Sequence, residues 1–317
     1  MKVLYIAGVG RSGSTLLERM LGAVPGAVNT GELNAIFSRV SQQDQRCGCG
    51  EPFSECPFWR EVGAEAFGGW EAVTHRISRL QPRVIRQRHV PRLVTGIQPA
   101  GYRAELEEYL EVHRRLYEAV AAVSGADVLV DASKSTAQLF ALQRIDGLDL
   151  RVVNLVRDAR GVANSWNKSG IVKPQSRDGD LMGTYAPHRL ALLWAALQLE
   201  CGVLRASAPY STRVRYEDLV AEPRPTLQRA LTALGLPPGP GDLDHVGERS
   251  VRLTASHGVA GSRTRFTDGR IELSVDDAWR STLPSGARRV VTAMTLPLLL
   301  GYGYVGRPRP AVDRLVS

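Results

Sequence analysis

Val3-Leu4-Tyr5-Ile6-Ala7-Gly8, followed by Val9-Gly10-Arg11-Ser12-Gly13-Ser14-Thr15, decides the fold class. The first six residues are branched, aromatic or small and carry no charge, the composition of a strand buried on both faces. A glycine-rich turn comes next. From Thr15 to Val24 a helix is predicted, with Leu16, Leu17, Met20 and Leu21 on one face and Pro25-Gly26 as its stop. Strand, glycine-rich turn and helix in that order aim several backbone N–H groups and a positive dipole end at one point, which suits a phosphate-like anion. The spacing nearly matches G-x-x-x-x-G-K-[ST], with Ser14 where that pattern requires lysine. In a nucleoside triphosphatase that lysine reaches the β- and γ-phosphates. Here the cation is Arg11, at the loop entrance, so the loop is suited to grip a phosphate and poorly equipped for magnesium-dependent γ-phosphoryl transfer.

Further strands alternate with helices downstream. Short strands are predicted at Ala27–Thr30, Asp127–Asp131, Leu150–Val156 and Ser211–Tyr216. Between and after them, helices are predicted at Ala104–Ser124, Thr136–Ile145, Gly161–Lys168, Pro187–Ala206 and Pro225–Leu234. This order implies βαβ units, hence an α/β fold with a P-loop-like central parallel sheet flanked by helices. One domain over 1–317 is expected. Within it, a helical and loop region at about 33–125 would shape the substrate site, helped by a polar, Gly-rich loop at 169–185. Residues from about 36 to 100 read as irregular apart from a basic stretch, Arg76 to Arg92. Val290–Tyr304 is apolar but broken by Pro297, Gly301 and Gly303.

The sequence resembles the sulfotransferases that use 3′-phosphoadenosine 5′-phosphosulfate (PAPS), in particular a bacterial branch. GRSGSTLL (10–17) is similar to that family's 5′-phosphosulfate-binding loop, which implies donor contacts from Arg11, Ser12, Gly13, Ser14, Thr15 and Leu16. LVRDARGVANSW (155–166) resembles its 3′-phosphate-binding segment, with Arg157 ending a strand and Ser165 about two turns along the next helix. RVRYEDLVAEP (213–223) puts Tyr216 where the family's ring packs near adenine. HGVAGSRTRF (257–266) resembles the C-terminal loop that closes on the 3′-phosphate, which brings in Arg263 and Arg265. Gly261-Ser262 stands where bacterial relatives often carry Gly-Asn. The bacterial branch also carries a loop like CGCGEPFSECPFW (47–59).

Sulfuryl transfer needs in-line geometry, neutralised charge on the leaving phosphate and a base for the attacking hydroxyl. Arg11 and Lys134, the latter in VDASKS directly after a predicted strand, are the candidate cations. Glu32, in NTGEL, is the candidate base; a glutamate at this distance from the loop resembles that of protein-tyrosine and some bacterial sulfotransferases. As an alternative role, Glu32 would be the N-cap of the following LNAIF run. Of the histidines, only His188 and His257 lie in segments that could reach the site. Arg and Lys would do the charge neutralisation, so no metal is expected to be required. The expected acceptor is a hydroxyl of a small molecule, glycan or lipid. In the competing interpretation, a kinase-like nucleotide-dependent phosphotransferase, Asp131 would ligate magnesium; in a sulfotransferase it would orient Lys134 or a loop hydroxyl.

Forty Lys and Arg against 32 Asp and Glu give a formal charge of +8, which favours an anionic partner. Nucleic acid is not the expected one: Arg76–Arg92 contains no Phe, Trp or Tyr on which bases could stack. Arg11 interrupts the N-terminal apolar run too early for an export signal, and Val290–Tyr304 is shorter than the ~20 residues of a spanning helix. A cytoplasmic protein without stable membrane insertion is the expectation. Cys47, Cys49 and Cys56 cluster while Cys201 stands apart. The three would hold zinc if Cys201 or a His supplied a fourth ligand, form a local disulfide, or remain free in a Gly/Pro-rich loop.

Overall fold

The computed structural model describes residues 1–168 and 183–306. Its chain begins with β1 (Lys2–Gly8), α1 (Ser14–Gly22) and β2 (Ala27–Gly31), then runs through α2 (Pro57–Phe67), α3 (Glu71–Val84), α4 (Val90–Thr95) and α5 (Ala100–Ser124). It continues with β3 (Val128–Lys134), α6 (Thr136–Leu142), β4 (Asp149–Val156), α7 (Ala159–Asn167), α8 (Pro187–Ser207), β5 (Ser211–Arg215), α9 (Tyr216–Ala221) and α10 (Pro223–Ala233). Two short strands, β6 (Ser250–Leu253) and β7 (Gly269–Glu272), precede α11 (Trp279–Thr282) and α12 (Ser285–Gly301).

The main sheet has five parallel strands in the order β2-β3-β1-β4-β5, the predicted architecture. β1 lies at its centre, in register with β3 (Val3 opposite Leu129) and with β4 (Val3 opposite Leu150). Alternation along β1 divides the core. Val3, Tyr5 and Ala7 enter one apolar cluster with α2 to α6, while Leu4 and Ile6 enter another with α1, α9 and α10. A third cluster joins α7, α8, α11 and α12. Because every strand points the same way, all five carboxyl ends open on one edge. That is where ligands collect in such sheets.

Two expectations need correction. The stretch from about 36 to 100 is helical over much of 57–95, where α2, α3 and α4 lie, while the cysteine loop before α2 is irregular as expected. Pro57 and Pro91 are not breakers there but first-turn residues of α2 and α4, where proline's missing N–H has no helical partner to lose. In the basic stretch, Arg76 and Arg83 of α3 pair with Glu108 and Glu105 of α5, so part of its charge is matched internally. The apolar segment near 290–304 is helical to Gly301 despite Pro297, because Val291, Thr295 and Leu299 bury one face four residues apart. The predicted 169–185 loop lies outside the described residues from 169 to 182.

By length and composition α8 could cross a bilayer, a feature the sequence reading did not flag. Here one side of it is core: Leu190, Ala191, Trp194, Leu197, Cys201 and Leu204 are buried. Trp194 Nε1 also donates to the Arg157 carbonyl at 3.1 Å. Trp194→Ala should therefore lower the unfolding free energy by about 3–5 kcal/mol in urea titrations. A loss below about 1 kcal/mol would show that α8 is not seated in this core.

Candidate active site

Each strand delivers one candidate group to the common edge. β1 runs into the glycine-rich loop, β2 into Glu32, β3 ends at Lys134, β4 runs into Arg157, and Tyr216 follows β5. Tyr216 is the first residue of α9 rather than the last of its strand.

The loop's backbone is set by left-handed residues, Arg11 at φ 72° and Gly13 at φ 89°. Gly13 is the N-cap of α1 and no side chain caps that helix, which leaves its first N–H groups for another acceptor. A side chain at Gly13 would not fit: a Cβ there would lie 2.5 Å from the Tyr216 ring. Ser12 is 1 % exposed, and its hydroxyl has no partner among the described residues. Ser14 and Thr15 are buried beside it. The side chain of Leu16 is partly buried against the second core cluster.

Arg157 is fastened to this loop. Its Nη1 donates to the Arg11 carbonyl at 2.8 Å, and its guanidinium stacks 4.8 Å from the centre of the Tyr216 ring. Nη2 pairs with Asp276 at 2.7 Å, while the buried Nε has no partner among the described residues. Burial alone would raise the Asp276 pKa, but the Arg157 hydrogen bond and charge hold it below the usual carboxylate range. Arg11 lies over the Trp166 ring at 5.4 Å, and Trp166 Nε1 donates to the Gly10 carbonyl at 3.2 Å. Burial, then the charge of Arg157, lowers the Arg11 pKa. Two cations and an unpartnered hydroxyl thus converge on the open end of α1. Ser165 lies half-buried on α7, the helix that Arg157 precedes.

On the other side of the loop Lys134 Nζ pairs with Glu32 Oε1 at 2.5 Å, each side chain 16 % exposed. Glu32 does occupy the N-cap of a short 3-10 turn at Leu33–Ala35, yet its carboxylate caps nothing there. Arg39 approaches Oε2 at 3.9 Å. Lys134 holds a left-handed backbone, φ 65°, an uncommon state for a residue with a long side chain. The Glu32 N–H donates to the Val259 carbonyl at 2.8 Å, and the Ser262 N–H donates to Thr15 Oγ1 at 3.1 Å, so the 257–266 segment lies against both halves of the site. Gly261, at φ 88°, makes this approach possible: a Cβ there would lie 2.9 Å from Thr15 Oγ1.

Two sequence assignments change. Arg265 does not face a donor; at 1 % exposure its guanidinium binds the carbonyls of Ala260 and Arg46, and burial lowers its pKa to about 10. Arg263 is the exposed arginine of that segment. Asp131 neither touches Lys134 nor faces the loop opening. It is fully buried, accepting from the Ser133 N–H and hydroxyl and, at 2.7 Å, from the Tyr117 hydroxyl. Of the two histidines considered, His188 is exposed at the start of α8 and His257 sits among the cysteines.

Comparison with known proteins now becomes informative. A family model described as "Sulfotransferase family" matches residues 4–240. The chain belongs to the sulfotransferase family. Carbohydrate sulfotransferase 5 of Mus musculus is 31% identical over 183 residues, a match covering 52% of this chain and 44% of the relative. The chain thus spans less than half the length of that curated relative. The sulfotransferase domain from the Synechococcus PCC 7002 olefin synthase superposes with a TM-score of 0.50 at 18% identity, covering 97% of this chain and 96% of that domain, a likeness of fold.

The sequence reading missed groups that support the site from beneath. Arg19 of α1 binds the carbonyls of Thr254, Thr264 and Thr267 and so ties this helix to the 257–266 segment. Asp276, in LSVDDAW, reads as one of two acids ahead of a short helix, with no signal pointing to Arg157. Glu18, also on α1, is fully buried and accepts from the Gly31 N–H at 2.5 Å and from Asn29 Nδ2 at 3.2 Å. Burial pushes its pKa up to about 7, against the pull of those hydrogen bonds.

The folded state therefore holds the Glu18 proton where the unfolded chain, near 4.5, has released it. This contribution to stability is complete below about pH 4.5 and is lost as pH rises towards and through about 7. Glu18→Gln removes that term, so urea unfolding at pH 5 and pH 8 should show the variant gaining on wild type by at least ~1 kcal/mol. A difference that stays constant with pH would mean Glu18 is not buried as a neutral acid.

Proposed function

We propose that this sulfotransferase moves a sulfuryl group from PAPS to a hydroxyl of a small-molecule, glycan or lipid acceptor. The observation that carries the reading is the fastening of Arg157 to a lysine-free glycine-rich loop, through the Arg11 carbonyl and the shared Tyr216 ring. A cosubstrate with one anionic group at the loop and another on the far side of its sugar fits two such sites on neighbouring strand ends. Ser12, Gly13, Ser14 and Thr15 would hold the 5′-phosphosulfate with their N–H and hydroxyl groups. Arg157, Ser165 and Arg263 would hold the 3′-phosphate, and Tyr216 would pack near the base. Arg157 Nε and Ser12 Oγ, both buried and without a partner among the described residues, fit that role, since an anion would supply each with a hydrogen bond.

In the reaction, Glu32 would take the acceptor hydroxyl's proton as the acceptor oxygen forms its bond to sulfur. The bond from sulfur to the bridging phosphate oxygen breaks, and its electron pair leaves with 3′,5′-adenosine bisphosphate. Lys134 and Arg11 would stabilise the charge growing on that oxygen. The Lys134–Glu32 ion pair keeps base and acid together before substrates arrive. Once Lys134 turns to the leaving oxygen, the carboxylate is released to act as base. The kinase-like alternative loses support at Asp131, whose two carboxylate oxygens are occupied in the core rather than offered to a metal beside the loop.

Calorimetry with 3′,5′-adenosine bisphosphate tests the donor assignment. Binding should not require magnesium and should weaken by ~1–3 kcal/mol in Arg157→Ala. Preference for ATP with magnesium, or an unchanged affinity in the variant, would overturn it. The base assignment has its own readout: Glu32→Gln should keep bisphosphate affinity while losing most turnover. A variant that turns over normally but binds weakly would place Glu32 in binding instead.

A further inference from the structure

The cysteine-rich loop and the segment that closes the site meet at one point. Cys47 and Cys56 are buried and Cys49 is half-buried, all three as free thiols, while Cys201 is buried on α8. His257 arrives from far along the chain. Cys56 Sγ lies 3.6 Å from Cys47 Sγ and 3.7 Å from Cys49 Sγ. His257 Nδ1 lies 3.3 Å from Cys56 Sγ and 3.8 Å from Cys47 Sγ. All four atoms fall within 4.8 Å of one another.

These separations discriminate between the possible states of the thiols. A disulfide requires sulfurs about 2.05 Å apart, and neither measured pair is near that. Around a tetrahedral zinc with Zn–S of about 2.3 Å and Zn–N of about 2.0–2.1 Å, the edges are about 3.8 Å between sulfurs and about 3.5 Å from sulfur to nitrogen. Four of the six edges, 3.3, 3.6, 3.7 and 3.8 Å, scatter about those values, and the other two are within 4.8 Å. Free cysteines packed as small hydrophobes have no reason to aim three sulfurs and a ring nitrogen at a common centre. We propose that Cys47, Cys49, Cys56 and His257 Nδ1 bind one structural zinc ion. Four protein ligands leave no open position, the pattern of structural rather than catalytic zinc, and a tetrahedral set rich in thiolate selects zinc over the hard cations.

The surrounding groups orient the donors as outer-shell partners do. Phe58 stacks on the His257 ring at 4.9 Å and 15°, and Trp59 Nε1 donates to the His257 carbonyl at 2.7 Å. The Gly48 N–H donates to the Gly258 carbonyl at 3.0 Å, and Arg265 reaches the Arg46 carbonyl. Two residues past His257, Val259 exchanges backbone hydrogen bonds with β2 and its exit, donating to the Thr30 carbonyl at 3.0 Å and accepting from the Glu32 N–H. The ion would thus cross-link an irregular loop to the strip on which Glu32 rests. Its chemistry is independent of which group the enzyme transfers.

Metal analysis of the purified full-length protein, grown with zinc and iron present, tests this directly. About one zinc per chain is expected in wild type and in Cys201→Ala, with no comparable iron. His257→Ala should lower zinc retention against a competing chelator at least about tenfold, and His257→Cys should restore it. Exchange with cobalt should give the intense visible bands of a tetrahedral thiolate site, lost in a Cys47→Ser/Cys56→Ser double variant. Should that variant fail to fold, wild-type stoichiometry and the cobalt spectrum still decide. Wild-type protein that carries no zinc and takes up no cobalt would overturn the proposal, as would a disulfide among the three cysteines in unreduced protein. Neither result would bear on bisphosphate binding, so the two readings fail separately.

Discussion

Parallel pairing of β1 with β3 on one side and β4 on the other forces the exits of five strands onto one edge, and the charges carried there must be reconciled at short range. Arg11 is half-buried beside Arg157, and burial followed by the Arg157 charge lowers the Arg11 pKa. The protein supplies counter-charges of its own: Asp276 to Arg157 and Glu32 to Lys134. Asp276 is 43 % exposed, so solvent screens its pair with Arg157, while the Lys134–Glu32 pair is more enclosed at 16 % on each side. Their larger effect is to hold cations at the mouth of an uncapped helix.

The same constraint accounts for the backbone. Arg11, Gly13 and Lys134 all take left-handed conformations at strand exits. For the two non-glycine residues this costs on the order of 1–2 kcal/mol each, which the surrounding fold must offset. Such strain is tolerated where a side chain has to be turned towards a shared centre that a regular turn would miss.

Much of this was legible in the sequence because strand burial and the glycine-rich turn are local signals. Val3 to Gly8, the Gly13 turn, Arg157 after its strand and Glu32 after β2 were all readable from composition and order. Tertiary contacts decided the remainder. The stretch from about 36 to 100 reads as irregular, and a sequence does not reveal that Pro57 and Pro91 stand at first turns of helices. Pro297 lies inside α12 because packing along Val291, Thr295 and Leu299 outweighs one lost backbone bond. Arg265 is named through the resemblance of its segment, and only burial shows its Nη1 and Nη2 committed to the carbonyls of Ala260 and Arg46. His257 offers no local sign of the cysteines it meets.

The placement of Glu32 and Lys134 does not depend on their mutual attraction. Directly beside them, the Asn34 N–H donates to Ser133 Oγ at 2.9 Å and Asn34 Nδ2 donates to the Ser133 carbonyl at 3.1 Å, stitching the exit of β2 to the end of β3. Ser133 is held in turn by Asp131, and Asp131 by Tyr117 of α5; from the other side Gln81 of α3 donates to the Asn34 carbonyl at 2.8 Å. The helices of the 33–125 region therefore reach Asn34 and Ser133, close along the chain to the two charged residues, through an unbroken chain of hydrogen bonds. Separating the ion pair on donor binding would leave this chain intact, because none of its bonds uses the Glu32 carboxylate or the Lys134 ammonium. In the proposed reaction, where Glu32 exchanges its partner as the base, it can then keep its position relative to the loop while it does so.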